Sequence, residues 1–100
     1  MSYKLRQDPA FKRFTKKIKE HQLQNKIKVA IEEIQAAPYE AGEQKKGDLS
    51  GLFCYDIRHA NVSYEIAYII QEEDEKLVIV IYGGTRENFY KSLRKHMYNK

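Results

Sequence analysis

The sequence predicts an α+β fold, with an N-terminal helical hairpin packed on an antiparallel β-sheet and a C-terminal helix. Three observations predict it. Apolar residues recur at helical spacing as far as Ile34, and the period switches to two from Leu52 onward. A β-branched apolar run, Leu77–Tyr82, then gives way to a last helical pattern. Helices first and a strand meander afterwards make an α+β arrangement, in the order β-α-α-β-β-β-α.

Each element has a local reason. Tyr3–Gln7 alternates and reads as a first strand. Asp8-Pro9 opens a helix, because Asp is a favoured N-cap and Pro suits the first helical position. Phe11, Phe14 and Ile18 form its apolar stripe, with Lys12, Arg13, Lys16, Lys17 and Lys19 on the remaining surface. After a break near His21–Gln22, a second helix carries Leu23, Ile27, Ala30, Ile31 and Ile34. Ala36-Ala37-Pro38 ends it, since the residue before proline avoids the helical region. Tyr39–Ser50 is polar and reads as a loop.

Strands follow. Phe53, Tyr55 and Ile57 alternate with Cys54, Asp56 and Arg58, and beyond Ala60-Asn61 a second alternating run covers Val62–Ile70. This is the pattern of a hairpin with one buried face. Phe53, Tyr55, Ile57, Val62, Tyr64, Ile66 and Tyr68 are expected to meet the helices, leaving Asp56, Arg58, Ser63 and Glu65 on an open face. Gln71–Lys76 is an acidic turn, and Leu77–Tyr82 suits a central strand covered on both sides. Gly83-Gly84 closes that strand, and Thr85 is an N-cap candidate for a helix bearing Phe89, Leu93 and Met97.

Composition bounds the function. One hundred residues predict a single domain, 1–100, with 42% hydrophobic and 32% charged residues arguing against wholesale disorder. The longest apolar run is far short of the ~20 residues of a membrane helix, so no membrane role is expected. No apolar stretch follows the N-terminal positive charges, and Cys54 is the single cysteine, so neither a secretory signal nor an internal disulfide is expected, and the cytosol is the expected compartment. Residues 1–28 hold nine Lys/Arg against Asp8 and Glu20, a balance of +7; residues 29–80 stand at −7 and residues 81–100 at +4. Basic termini suit nucleic acid or an acidic protein, and equally a solvated lysine face.

The open face carries the candidate chemistry. Asp56 and Arg58 share it on one strand, Glu65 on the next, and Arg86 follows the central strand at a helix start. Arginine forks bind phosphate, and a nearby carboxylate can take a proton from an attacking hydroxyl. The set suits phosphodiester cleavage; it suits equally a solvated sheet face laced with Asp/Glu–Arg pairs. Tyr90 lies one turn after Arg86 and shares its helix face. His59 has core parity at its strand end, and neither it nor His21, His96 or Cys54 shows a metal-ligand spacing. Gly83-Gly84 lacks the rest of any nucleotide fingerprint, so no cofactor or metal is expected.

The ordered set Leu49–Arg58, then Tyr64-Glu-Ile-Ala-Tyr68, an apolar strand and Gly83-Gly-Thr-Arg-Glu-Asn-Phe-Tyr90 resembles the RelE/ParE toxins of bacterial toxin–antitoxin systems over nearly the whole chain. The resemblance implies a RelE/ParE-like fold and a cognate antitoxin partner, through which alone operator DNA would be bound. RelE-like members cleave mRNA on the ribosome without metal, the ribose 2′-hydroxyl attacking the adjacent phosphate to leave a cyclic phosphate. ParE-like members inhibit DNA gyrase. The RelE pattern has basic residues at the positions of Asp56, Arg58, Glu65 and Arg86 and a tyrosine at or near Tyr90; this chain keeps Arg58, Arg86 and Tyr90 and carries acids at Asp56 and Glu65. The roles implied are Glu65 as general base, Arg58 and Arg86 as charge stabilisers, Tyr90 as a substrate-orienting residue and Asp56 as a further carboxylate at the site. His59 and Tyr90 are the two candidates for protonating the leaving oxygen, and Lys45, Lys46, Lys91 and Arg94 for meeting the RNA backbone. Two other outcomes stay open at this point: a gyrase inhibitor, and an inactive homologue kept for antitoxin binding and regulation.

Overall fold

The computed structural model describes residues 2–98. Strand β1 (Lys4–Gln7) leads into α1 (Pro9–Lys17) and α2 (His21–Ala36), then a short helical turn α3 (Pro38–Ala41). A two-residue strand β2 (Glu43–Gln44) and a 3-10 turn (Gly47–Leu49) precede β3 (Phe53–His59), β4 (Val62–Gln71), β5 (Leu77–Thr85) and α4 (Arg86–Tyr98). The sheet order is β1-β5-β4-β3-β2. The meander β3–β4–β5 is antiparallel as expected, and β1 extends it by pairing parallel to β5.

The local signals act largely as read. Asp8 is the extended N-cap residue of α1 with Pro9 behind it; its backbone carbonyl accepts from Lys12 N, and its side chain makes no cap bond. Pro38 stops α2, and Tyr68 Oη donates to the Pro38 carbonyl at 2.6 Å, so the helix end is tied to the buried sheet. Ala60 and Asn61 both take positive φ, the two-residue hairpin geometry that matches strand twist.

The sheet is covered on both faces. On one side α1 and α2 bury Phe11, Leu23, Ile27, Ala30 and Ile34 against Phe53, Ile57, Ile66, Tyr68, Val78 and Val80. On the other, α4 packs Phe89 and Leu93 onto Leu49, Leu52, Cys54, Ala67, Ile79 and Ile81. A bulge beside Ala67/Tyr68 pairs Ala67 with Tyr82 and Tyr68 with Val80. Ile81 and Tyr82 thereby both join the α4-side cluster.

Four expectations change. The face opposite the hairpin is closed over much of its area by α4, because Phe89 and Leu93 recur at i, i+4 on its underside. The stretch Tyr39–Ser50 is structured: Lys45 N donates to the Leu52 carbonyl, and buried Leu49 anchors the 3-10 turn under α4. Elements of two to four residues carry no readable period, which is why they read as loop. Val62 has core parity but is 38% exposed, since it sits at the hairpin tip beside Asn61. Met97, expected on the apolar side of α4, is also exposed.

Candidate active site

Register builds the site. Asp56 on β3 stands opposite Glu65 on β4, and Glu65 opposite Gly84 on β5. The neighbouring row places Arg58 opposite Ser63. Gly84 adds no side chain to this row, and residues of α4 lie over Glu65. That helix starts directly at Arg86, and its first turn brings Arg86 and Tyr90 over the same carboxylate.

The result is an enclosed acid. Glu65 is 1% exposed. Tyr90 Oη donates to its Oε1 at 2.6 Å, and the Arg86 Nε lies 3.4 Å from its Oε2. Oε2 has no hydrogen-bond partner. Burial pushes the Glu65 carboxyl above the usual carboxylate range, and the charge of Asp56 adds to this; Tyr90, Arg86 and Lys45 pull the other way. Burial and the bond to Glu65 push the Tyr90 phenol up to about 12. Cys54 lies on the same face, its thiol raised to about 11 by burial and by the Glu65 charge. A raised carboxyl held against a neutral phenol is a pair equipped to accept and return a proton.

Lys45 completes the cluster. Its Nζ is 2.8 Å from Glu43 Oε1 and 5.2 Å from the centre of the Tyr90 ring. Burial works against the ammonium, but the bonds to Glu43 and Tyr90 outweigh it and keep the lysine pKa above its ordinary value.

The other expected residues divide. Asp56 and Arg58 are exposed on the site face, and both line a groove of about 330 Å³ between β3 and α2. Arg86, with a side chain 62% exposed, lines a second groove of about 620 Å³ with Ser63, Thr85 and Asn61. Lys46 and Lys91 are exposed. Arg94 is engaged, donating from Nε to Asp48 Oδ2 at 2.7 Å and tying the 3-10 turn to α4. His59 lies apart from the cluster. It is buried with the helix-side parity of Ile57, and its Nε2 bonds Glu20 at the start of α2. The parity that made it a core residue in the sequence is the parity that removes it from the Glu65 face. Among the described residues no three His, Cys, Asp or Glu side chains converge on a metal-sized site.

Sequence reasoning gave Lys45 to RNA and overlooked its stacking on Tyr90. Its position just before a lysine in a polar stretch carried no sign of it. For Cys54 the signal was present, since it shares parity with Asp56.

Two solved structures share the fold. One is the RelBE2 toxin–antitoxin complex from Mycobacterium tuberculosis, with a TM-score of 0.70 at 21% identity, covering 86% of this chain and 100% of the matched chain. The other is an arginine-to-alanine double mutant of the Escherichia coli toxin RelE in the free state, with a TM-score of 0.67 at 20% identity, covering 95% of this chain and 98% of that one. No curated protein matches the sequence significantly. The profile described as the ParE-like toxin of type II bacterial toxin-antitoxin systems matches residues 5–94, and the chain belongs to that family.

Proposed function

We propose that the toxin is a ribosome-dependent mRNA endonuclease that acts from its α4-side sheet face. The observation that carries this is the buried Glu65 carboxyl, raised by its surroundings and hydrogen-bonded to the Tyr90 phenol beside Arg86. Burying an acid without a full set of partners is costly, and such costs concentrate where proton transfer is needed.

In the proposed reaction Tyr90 stays on Oε1, and Glu65 takes the proton of a ribose 2′-hydroxyl at Oε2, the oxygen without a hydrogen-bond partner. The O2′–P bond forms and the P–O5′ bond breaks. Arg86 and Arg58 balance the charge that builds on the phosphoryl oxygens, with Asp56 as a further carboxylate on the site face. The departing 5′-oxygen takes the Tyr90 proton, and Tyr90 recovers one from Glu65. The products are a 2′,3′-cyclic phosphate and a free 5′-hydroxyl. Tyr90 serves as the acid because His59 is held by Glu20 on the opposite face. Exposed Lys46 and Lys91 meet the RNA backbone. No metal or cofactor takes part.

The proposal includes a cognate antitoxin as partner, with operator DNA reached only through it, and a cytoplasmic location. No described helix is long and apolar enough to cross a membrane. The basic surface Lys12–Lys19 suits an acidic partner segment.

The enclosure of Glu65 favours a second reading, in which the acidic row is structural and the chain inhibits DNA gyrase. Purified toxin incubated with ribosomes and a defined mRNA tests the choice. Cleavage products ending in cyclic phosphate, lost in Glu65→Ala and Arg86→Ala, support the endonuclease. Intact mRNA together with inhibited supercoiling by gyrase supports the second reading.

A further inference from the structure

Lys45 is unlike the other described lysines. Its side chain is 21% exposed, and its charge is already matched by Glu43, whose own side chain is 80% exposed. A phosphate arriving at Lys45 would have to displace that carboxylate, whereas Lys46 next to it is exposed. The backbone of Lys45 is fixed as well, through its bond to Leu52, so the stem enters the site from a defined origin. Its ammonium stops 5.2 Å from the Tyr90 ring centre, within the ~6 Å reach of a cation–π contact.

We infer that Lys45 is a positioning residue of the site: its ammonium, clamped by Glu43, holds the Tyr90 ring over Glu65. This rests on the endonuclease reading and deepens it. The ring has few other restraints on that side. Phe89 meets it edge-on at 5.2 Å, and its hydroxyl is committed to Glu65. The groups facing Glu65 are Cys54, Asp56 and Arg58 from β3, Arg86 and Tyr90 from α4, and Lys45 from the segment after β2; Arg94 lies one turn beyond Tyr90. Of the cations, Arg86 and Arg58 have exposed side chains, whereas Lys45 is sheltered. Its charge therefore acts on the Tyr90–Glu65 pair with little screening. Removing it loosens the ring and makes Glu65 a weaker acid, the direction in which Lys45 now opposes burial.

The test compares the parent with Lys45→Met, which keeps the stem and removes the charge, and with Lys45→Arg, which restores a cation. One readout needs no RNA: the glutamate carboxyl carbons are followed by ¹³C NMR against pH, with Glu65 assigned from Glu65→Gln. The Glu65 signal is expected to titrate at higher pH in Lys45→Met and to return toward the parent in Lys45→Arg. The second readout is the pH profile of mRNA cleavage on ribosomes. Lys45→Met is expected to move the acid limb upward and to lower kcat on that limb, with KM and its salt dependence unchanged. An unmoved Glu65 titration together with a salt-dependent rise in KM would overturn the inference and return Lys45 to the RNA backbone. Should the parent cleave nothing, the endonuclease reading falls, while the NMR comparison still decides whether Lys45 governs the pair. Should Lys45→Met fail to fold, Lys45→Gln, with a polar head on the same half-buried stem, takes its place.

Discussion

Tyr90 on α4 and Glu65 on β4 are joined by a 2.6 Å hydrogen bond from phenol to carboxylate, and this bond seals the acid beneath the helix. It links the packing of α4 to the chemistry of the sheet. Phe89 and Leu93, on the buried side of α4, set its seat, and Tyr90 follows from that seat.

The raised pKa of Glu65 makes it a cost to the fold at neutral pH. A carboxyl raised on folding binds its proton more tightly in the native state than in the unfolded chain. Stability therefore falls as pH rises from the ordinary glutamate value through the raised native value. Glu65→Gln keeps an acceptor for Tyr90 and removes that charge. Its Tm at pH 7 is expected to exceed that of the parent, with a flatter pH dependence of melting across the acid range, while cleavage is lost.

Arg58 tests the charge-stabilising role with little structural disturbance, since its side chain is exposed. Arg58→Ala is expected to lower kcat for mRNA cleavage by roughly 10²-fold, the scale of one lost transition-state donor. Denaturant midpoints should move by no more than about 0.5 kcal/mol in equivalent stability. Single-turnover cleavage and urea unfolding of one preparation measure both.

His59 is expected to behave in the opposite way. Buried and bonded to Glu20 on the helix side, it supports the start of α2. His59→Ala should cost about 1–3 kcal/mol of stability through the cavity it leaves, since exposed Glu20 takes water in its place. Its kcat, measured well below the melting temperature, should stay close to that of the parent. A large fall in kcat with an unchanged fold would return His59 to the reaction.

Adjacent glycines at the end of β5 separate packing from permissiveness. A Cβ on Gly83 would lie 2.5 Å from Phe14 Cδ2, whereas one on Gly84 would meet only Phe89 Cδ1 at 3.9 Å. Gly83→Ala is expected to destabilise by about 1–3 kcal/mol through overpacking. Gly84→Ala should be neutral or slightly stabilising, because alanine loses less chain entropy in a strand. Chemical denaturation of the two variants checks the contrast.

The main architecture was legible because long amphipathic patterns dominate it. Phe53 to Tyr68 alternate so regularly that the helix-facing set could be named, with Val62 alone misplaced at the hairpin tip. The parallel pairing of β1 with β5 was not legible, since four residues of strand carry no information about their partner. At the site, parity placed Asp56, Arg58 and Glu65 on one face, and helical spacing placed Arg86 with Tyr90. Parity could not tell that this face is roofed. That depends on where α4 docks, which is set by Leu49, Leu52, Ile79 and Ile81 far apart in the chain. The seat of Lys45 depends on that docking as well, so no local pattern announces it.

The most direct measurement of the proposed activity is made in cells. The chain is induced from a tightly controlled promoter, and transcript 5′ ends are mapped with translation running and with translation blocked. Translation-dependent breaks inside reading frames, with cyclic phosphate on the upstream fragments and no breaks in the Glu65→Gln strain, are the predicted result. Growth arrest with intact transcripts would contradict it and move the target to gyrase.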